Sequence, residues 1–321
     1  MENLILILQK TLIYAIPLLI VALGGVFAER SGVINLALEG EMIFGAFMGA
    51  IFVYLLQKNG IWLDKPQLTF ICAMAVGAAS GAIYSLLLSF SAIKLKSDQT
   101  ISGTALNMLA PAIVNTFGLV FFLQEKINMP YTFRGYAIIN SNLPGLLRIF
   151  FDKAYLSTFV IIVLFAGLSI WLYKSKIGTH LRACGEHPQA ADSVGINVAR
   201  MRYLGTTISG ALAGLGGYAY IATVANGTAE ATIGGMGFLA LAIMIFGNWN
   251  PVGIIFGALM FGFLKCIGAV SSSIPLLANI GLPSYFYNIV PYVVVLVVLV
   301  IFRKKSGCPK AEGIPYEKGQ R

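Results

Sequence analysis

The sequence predicts an all-α, polytopic membrane protein with about nine (8–10) transmembrane helices. Three observations lead there. Of 321 residues, 58% are hydrophobic and only 11% are charged, whereas a soluble domain carries about 25% charged residues. Most of the outer face must therefore meet lipid. Apolar runs such as Phe159–Ile170 and Tyr292–Phe302 are continuous, where a membrane β-barrel would alternate over ~10-residue segments. The length accommodates roughly 8 to 10 helices of about 20 residues plus loops. The expected organisation is one membrane domain, 1–302, with a polar loop at 174–202 and a basic cytoplasmic tail at 303–321.

The first span is read at Thr11–Ala28, with Pro17 inside it; no small-residue cleavage site follows its apolar core, so Leu4–Ala28 reads as retained structure. Glu29–Met42 is expected to be an interface and a non-helical entry to the next run, Ile43–Leu56. Asn35, Glu39 and Glu41 sit at its mouth. Carboxylates near a span cost about 2.5–3.5 kcal/mol each at bilayer centre, so they either lie in the headgroup zone or line a polar path. The third span is Leu68–Ile93, ending at Lys94 and Lys96. Ser97 or Asp98 then caps a fourth, which Gly103 and Pro111 are expected to break. Asn107 and Asn115, eight residues apart, share a helical face. They serve equally as substrate-facing groups or as interhelical hydrogen-bond donors.

Gln124–Lys153 reads as a long connection and Ala154–Tyr173 as the fifth span. Four more follow: Tyr203–Thr223, Met236–Phe246, Pro251–Val270 and Tyr285–Phe302. Asn248–Pro251 is a tight turn, with Asn250 as cap and Pro251 at the first helical position. Paired glycines four apart (Gly45/Gly49, Gly77/Gly81, Gly210/Gly214, Gly253/Gly257) make small faces for close helix packing. Gly24-Gly25 before Glu39–Phe44 is echoed by Gly216-Gly217 before Gly234–Phe238, as in transporters built from repeats. If the tail, with six basic and two acidic residues, is cytoplasmic, parity places 174–202 and the Lys94/Lys96 loop there too, as the positive-inside rule expects. The nine-span count puts the N-terminus outside.

The net charge of +9 follows from such loops; no basic helix or aromatic–basic patch points to nucleic acid. The four cysteines show no regular spacing. No GxxxxGK[ST] loop, GxSxG or HExxH is present, so no catalytic residues are expected. His180, Cys184 and His187 lie within eight residues, but a structural zinc site takes four ligands, and no metal site is expected.

Transport remains. An ion-coupled secondary carrier acting alone would place an ionisable residue inside the bundle, and the acidic candidates fall at span ends. A primary transporter would borrow energy from a separate ATPase and would need a docking element, which Lys174–Arg202 offers. It holds five basic and two acidic residues and both histidines. Pro188 favours the first turn of a helix and Gly195 a stop. The short helix between them has almost no apolar face for its own bundle, and Ala190 and Ala191 are small enough to enter another protein's groove.

The segment GEHPQAADSVGIN resembles the ATPase-contacting segment of bacterial ABC importer permeases of the branched-chain amino acid, ribose and nucleoside group. There an Ala-Ala pair precedes a Gly-Ile, matched by Ala190, Ala191, Gly195 and Ile196. ERSGVINLALEG (Glu29–Gly40) and ISGTALN (Ile101–Asn107) are similar to the nucleoside branch linked to basic membrane lipoproteins; Glu41 departs from its more usual uncharged residue. The resemblance implies a type II ABC importer-like bundle, multi-pass in the bacterial inner membrane. It also implies a second, related permease chain, a cytoplasmic ATPase carrying ATP and Mg, and a substrate-binding lipoprotein. This chain would then bind no cofactor, and nucleosides would be its substrates, with simple sugars or branched-chain amino acids as the alternative. Gly185, Pro188, Ala190, Ala191, Asp192, Gly195 and Ile196 would be the ATPase-coupling residues. Asn35, Glu39, Asn107 and Asn115 are the residues expected along the path.

Overall fold

The computed structural model describes residues 2–129, 155–270, 284–301 and 307–318. The connection read at Gln124–Lys153 falls largely outside them, as do both ends of the tail. The described chain is helical almost throughout: α1 (Glu2–Arg30), α2 (Leu38–Lys58), α3 (Pro66–Ser89, continued by a π-helical turn, Phe90–Lys94), α4 (Gln99–Phe122), α5 (Leu156–Lys174), α6 (Lys176–Glu186), α7 (Pro188–Ser193), α8 (Val198–Thr223), α9 (Met236–Phe246), α10 (Pro251–Val270) and α11 (Ser284–Ile301). Among the described residues, six helices are long and apolar enough to cross a membrane, and Met236–Phe246 is a shorter apolar helix.

The first helix runs from Glu2 through Pro17, so the residues before Thr11 extend the first span. One expectation changes: the fourth helix is unbroken through Gly103 and Pro111. Gly103 serves a close approach instead: a Cβ there would lie 2.9 Å from the Leu36 side chain. As expected, Asp98 caps α4 by accepting from the Thr100 (2.8 Å) and Ile101 (3.0 Å) amides. Pro251 opens α10, with Asn250 accepting from the Val252 amide at 3.0 Å.

Glycine sets the core. A Cβ on Gly214 would stand 2.2 Å from the Gly77 carbonyl, one on Gly81 2.2 Å from the Gly210 carbonyl, and one on Gly45 2.3 Å from Gly214. The glycine pairs of α2, α3 and α8 thus form one seam in which backbones touch, as small-residue faces allow in lipid. Gly253 packs on Gly247, within the α9–α10 hairpin. The first glycine of each echoed pair packs on the opposite helix: Gly24 abuts Ser209 and Leu212, while Gly216 abuts Val21 and Ile20. They mark where α1 and α8 cross.

The basic segments collect on one face. Arg30 pairs with Glu186 at 3.5 Å, Lys96 reaches Glu317 in the tail at 2.5 Å, and the Gly307 amide donates to the Asn248 side chain. At the other end, β1 (Ile127–Asn128) pairs antiparallel with β2 (Thr228–Ala229), and Lys126 bridges to Glu230 at 2.9 Å.

Candidate functional site

Two regions contain the residues expected to work. The first is the turn between α1 and α2. The non-helical entry expected over Glu29–Met42 is confined to Ser31–Ala37, because α1 continues to Arg30 and α2 starts at Leu38. Glu39 and Glu41 therefore stand in the first turn of α2 and are buried, at 7% and 0% exposure. Burial inside protein replaces the headgroup alternative, and hydrogen-bond partners compensate for it. Asn35, fully buried, donates its amide to the Glu41 carboxylate (3.0 and 3.2 Å) and to the Ser209 hydroxyl (2.8 Å), while its carbonyl accepts from the Ala37 amide at 3.0 Å.

Glu39 acts across the molecule. Its carboxylate accepts from the backbone amides of Gly235 (2.9 Å) and Gly237 (2.6 Å). It thereby caps α9, whose first amides have no intrahelical acceptor. A negative charge at a helix N-terminus contributes up to about 2 kcal/mol in partly buried geometry. Gly234 and Gly235 precede α9 with φ of +65° and +72°, a conformation glycine adopts without a Cβ clash. Asn107 braces the turn from α4: it accepts from the Gly40 amide (2.8 Å) and donates to the Leu36 carbonyl (2.7 Å).

These braces border a groove of about 390 Å³ between α2, α4 and the entry to α9, lined by Glu39, Ile43, Thr104, Asn107, Met108 and Phe238 among others. Of the four path residues read from sequence, Glu39 and Asn107 line it. Asn35 lies one layer behind, and Asn115 is exposed two turns along α4 and outside the lining. Sequence reasoning passed over Lys265, the one lysine in the apolar run of α10. Its ammonium donates to the Tyr292 hydroxyl (2.8 Å) and lies 4.7 Å from that ring's centre. The hydroxyl in turn donates to the Gly234 carbonyl at 2.6 Å. The Gly234–Gly235 bend is thus held by Glu39 on one side and by Tyr292 and Lys265 on the other. An ionisable side chain within a span was the available signal.

The second region is the basic face. The loop read at 174–202 contains a helix the sequence reading missed: α6, begun by Ser175, whose hydroxyl accepts from the Gly178 amide at 3.0 Å. Ile177, Leu181 and Cys184, spaced by four and three, were its signal. Leu181 and Cys184 are fully buried, and burial pushes the Cys184 thiol up to about 11. Gly185 lies against the end of α1, where a Cβ would stand 2.4 Å from the Arg30 carbonyl. His187 breaks the helix, and Pro188 begins α7. Gly195 ends the turn with φ of +86°, while the Ile196 amide bonds back to the Ala191 carbonyl at 3.0 Å. Asn197 then caps α8 through the Arg200 amide at 3.0 Å.

The expectation that α7 lacks an inward apolar face needs correction. Pro188 and Ala191 are buried, and Ala191 packs with Cys184 and Val198, beside Ile196 and Tyr316. The alanine pair is divided: Ala191 is 3% exposed, while Ala190, with Gln189 and Ser193, faces outward. Asp192 is half-buried beside Tyr316.

A family model described as the permease component of the branched-chain amino acid transport system matches residues 7–299. The chain is 40% identical, over 98% of both sequences, to the guanosine ABC transporter permease protein NupQ of Bacillus subtilis. It is 38% identical, again over 98% of both, to the nucleoside ABC transporter permease protein NupC of Lactococcus lactis. A second protein of that organism, nucleoside ABC transporter permease protein NupB, is 27% identical over 93% of this chain and 80% of its own. No solved structure matches the chain. With membrane-length helices and a match over nearly the whole chain, this protein belongs to the permease family of ABC transport systems, a multi-pass membrane transport subunit and not an enzyme.

Proposed function

We propose that this chain forms, with a second related permease, the translocation path of an ATP-driven nucleoside importer in a bacterial cell membrane. The identity of 40% over 98% of both chains with a guanosine permease carries the substrate class. Two different nucleoside permeases of one organism among the relatives support pairing with a paralogue. ATP and Mg belong to a separate cytoplasmic ATPase, and a lipoprotein receptor delivers the solute from outside; this chain holds no cofactor. The ATPase grips the outward side of Pro188–Ser193, and its closure shifts the two bundles between outward and inward openings.

The groove suits a neutral heterocycle bearing hydroxyls. Glu39, Thr104, Asn107 and Thr232 offer hydrogen bonds, and Ile43, Met108 and Phe238 offer apolar contact. Its volume falls within the ~300–1,000 Å³ typical of small-molecule sites. A path must also release its cargo, so a few weak contacts serve better than a tight pocket. The test is reconstitution in liposomes with the ATPase, the second permease and the receptor. ATP-dependent accumulation of guanosine or adenosine, over glucose and leucine, is expected. Uptake of glucose or leucine instead, or ion-driven uptake by this chain alone, would overturn the assignment.

A further inference from the structure

The C-terminal tail makes contacts at six places on the basic face. The Ala311 amide donates to the Gly185 carbonyl at 2.9 Å, just before α7, and the Gly313 amide to the Gly32 carbonyl at 3.2 Å, in the α1–α2 turn. The Ile314 carbonyl accepts from Arg202 of α8 at 2.9 Å. Tyr316 packs against the cluster that seats Ala191. Glu317 reaches Lys96 at the α3–α4 connection, and Gly307 reaches Asn248 at the α9–α10 turn. Six contacts from a segment of twelve described residues are more than a solvated tail needs, since each ordered residue costs about 1–2 kcal/mol of backbone entropy.

Arg202 makes the arrangement specific. Its side chain is 1% exposed, and its Nη1 donates to the Ile314 carbonyl, while Nε and Nη2 have no partner among the described residues. Gly32 makes room for it: a Cβ there would lie 2.9 Å from Nη2. A guanidinium so desolvated is costly to leave unpaired, so its bond to the tail's Ile314 carbonyl, made beside the turn at Gly32, favours the docked tail.

We propose that residues 307–318 are a splint for energy coupling. The tail ties the segment leading into α7 to the α1–α2 turn, so that displacement of α7 by an ATPase reaches Asn35, Glu39 and the groove as one rigid movement. Gly185 and Gly32, whose carbonyls the tail bridges, are its anchor points, and Arg202 is a positioning residue. The inference rests on the ATP-driven reading above.

Two variants test it in the reconstituted four-part transporter: deletion of 307–321 and Gly313→Val. At Gly313, φ is +74° and a Cβ would lie 2.7 Å from Ile34, so valine detaches the tail at the turn without shortening the chain. The readouts are co-purification with the ATPase, ATP hydrolysis, and nucleoside taken up per ATP hydrolysed. Expected are intact assembly, retained hydrolysis and a fall of about tenfold or more in uptake per ATP. That corresponds to at least 1.4 kcal/mol of lost coupling. Unchanged uptake per ATP in either variant that accumulates normally would overturn the splint, as would loss of ATPase binding, which would make the tail a docking surface instead. If the deletion fails to accumulate, Gly313→Val decides. Wild-type transporter with no ATP-dependent nucleoside uptake would overturn the underlying reading instead, and is told apart by that control.

Discussion

At the α1–α2 turn, Asn35, Glu39, Glu41 and Asn107 all find partners within the chain, whereas on α7 the residues Gln189, Ala190 and Ser193 turn outward and Val194 is 75% exposed. Both stretches stood out in the sequence for the same reason, polarity next to apolar spans. They differ in where that polarity is satisfied. In a low-dielectric interior an unpaired polar group is expensive, so the turn closes on itself and becomes a brace. The outer face of α7 is left exposed, with its polar groups unburied. A cluster of polar residues at a span end therefore does not identify a binding surface until its partners are known.

The largest effects should come from the seam that both regions rest on. Gly214→Val would drive a side chain into the Gly77 backbone, 2.2 Å from its carbonyl. No flexible neighbour can give way there, so loss of folded protein in detergent size-exclusion chromatography is expected. Gly167→Val, on α5 with no atom within 4 Å, should accumulate normally. Equal behaviour of the two would break the claim that backbone contact sets the core.

Next come the two alanines. Ala191→Glu buries a carboxylate against Cys184 and Val198 and should destabilise the chain by about 3–5 kcal/mol, read as a lower melting temperature. Ala190→Glu should leave melting unchanged within about 0.5 kcal/mol yet abolish co-purification with the ATPase. If Ala190→Glu still assembles, the outward side of α7 is not the docking face.

A smaller contrast separates the two asparagines. Asn107→Ala leaves the Gly40 amide and the Leu36 carbonyl without the partners they now have, at about 1–3 kcal/mol each, and should reduce transport with the complex assembled. Asn115→Ala, exposed on the same helix, should stay within about 0.5 kcal/mol. Equal loss of transport in both would mean that the exposed side of α4, not the groove, carries the solute.

The fold was legible because a span is a local property. Apolar runs, the Asp98 and Asn250 caps and the glycine pairs each report on their own helix. What stayed hidden was set by distance along the chain. Nothing near Glu39 indicates that its acceptors serve Gly235 and Gly237, and nothing near Ala191 indicates that Cys184 and Tyr316 cover it. Lys265 went unmarked because a single lysine barely lowers the hydropathy of α10; its meaning depends on Tyr292. Pro111 and Gly103 pointed to a break in α4 because the same residues end helices in water. Here Gly103 instead admits Leu36 at close range.

The subtlest difference between the two regions lies where they join. Glu29, at the end of α1, and Glu312, in the tail, are neighbouring carboxyls. The Trp249 indole donates to Glu29 at 2.5 Å and the Cys308 thiol donates to Glu312, with Arg30 close by and itself paired to Glu186. Burial raises the Glu312 carboxyl above its usual range, against the opposing pull of Cys308, Glu29 and Arg30. A carboxyl raised on docking favours the docked tail while it is protonated. The contribution is therefore full below the ordinary carboxyl value of about 4.3 and fades as pH rises through the raised one. Proteolysis at Lys310 should accordingly quicken a few-fold from acidic to alkaline buffer. In Glu312→Gln the titrating carboxyl is gone, and the cleavage rate, corrected for the protease's own pH profile, should stay flat. A flat wild-type profile would mean that the carboxyl pair does not govern tail docking. The splint would then rest on Arg202 and the two glycine carbonyls alone.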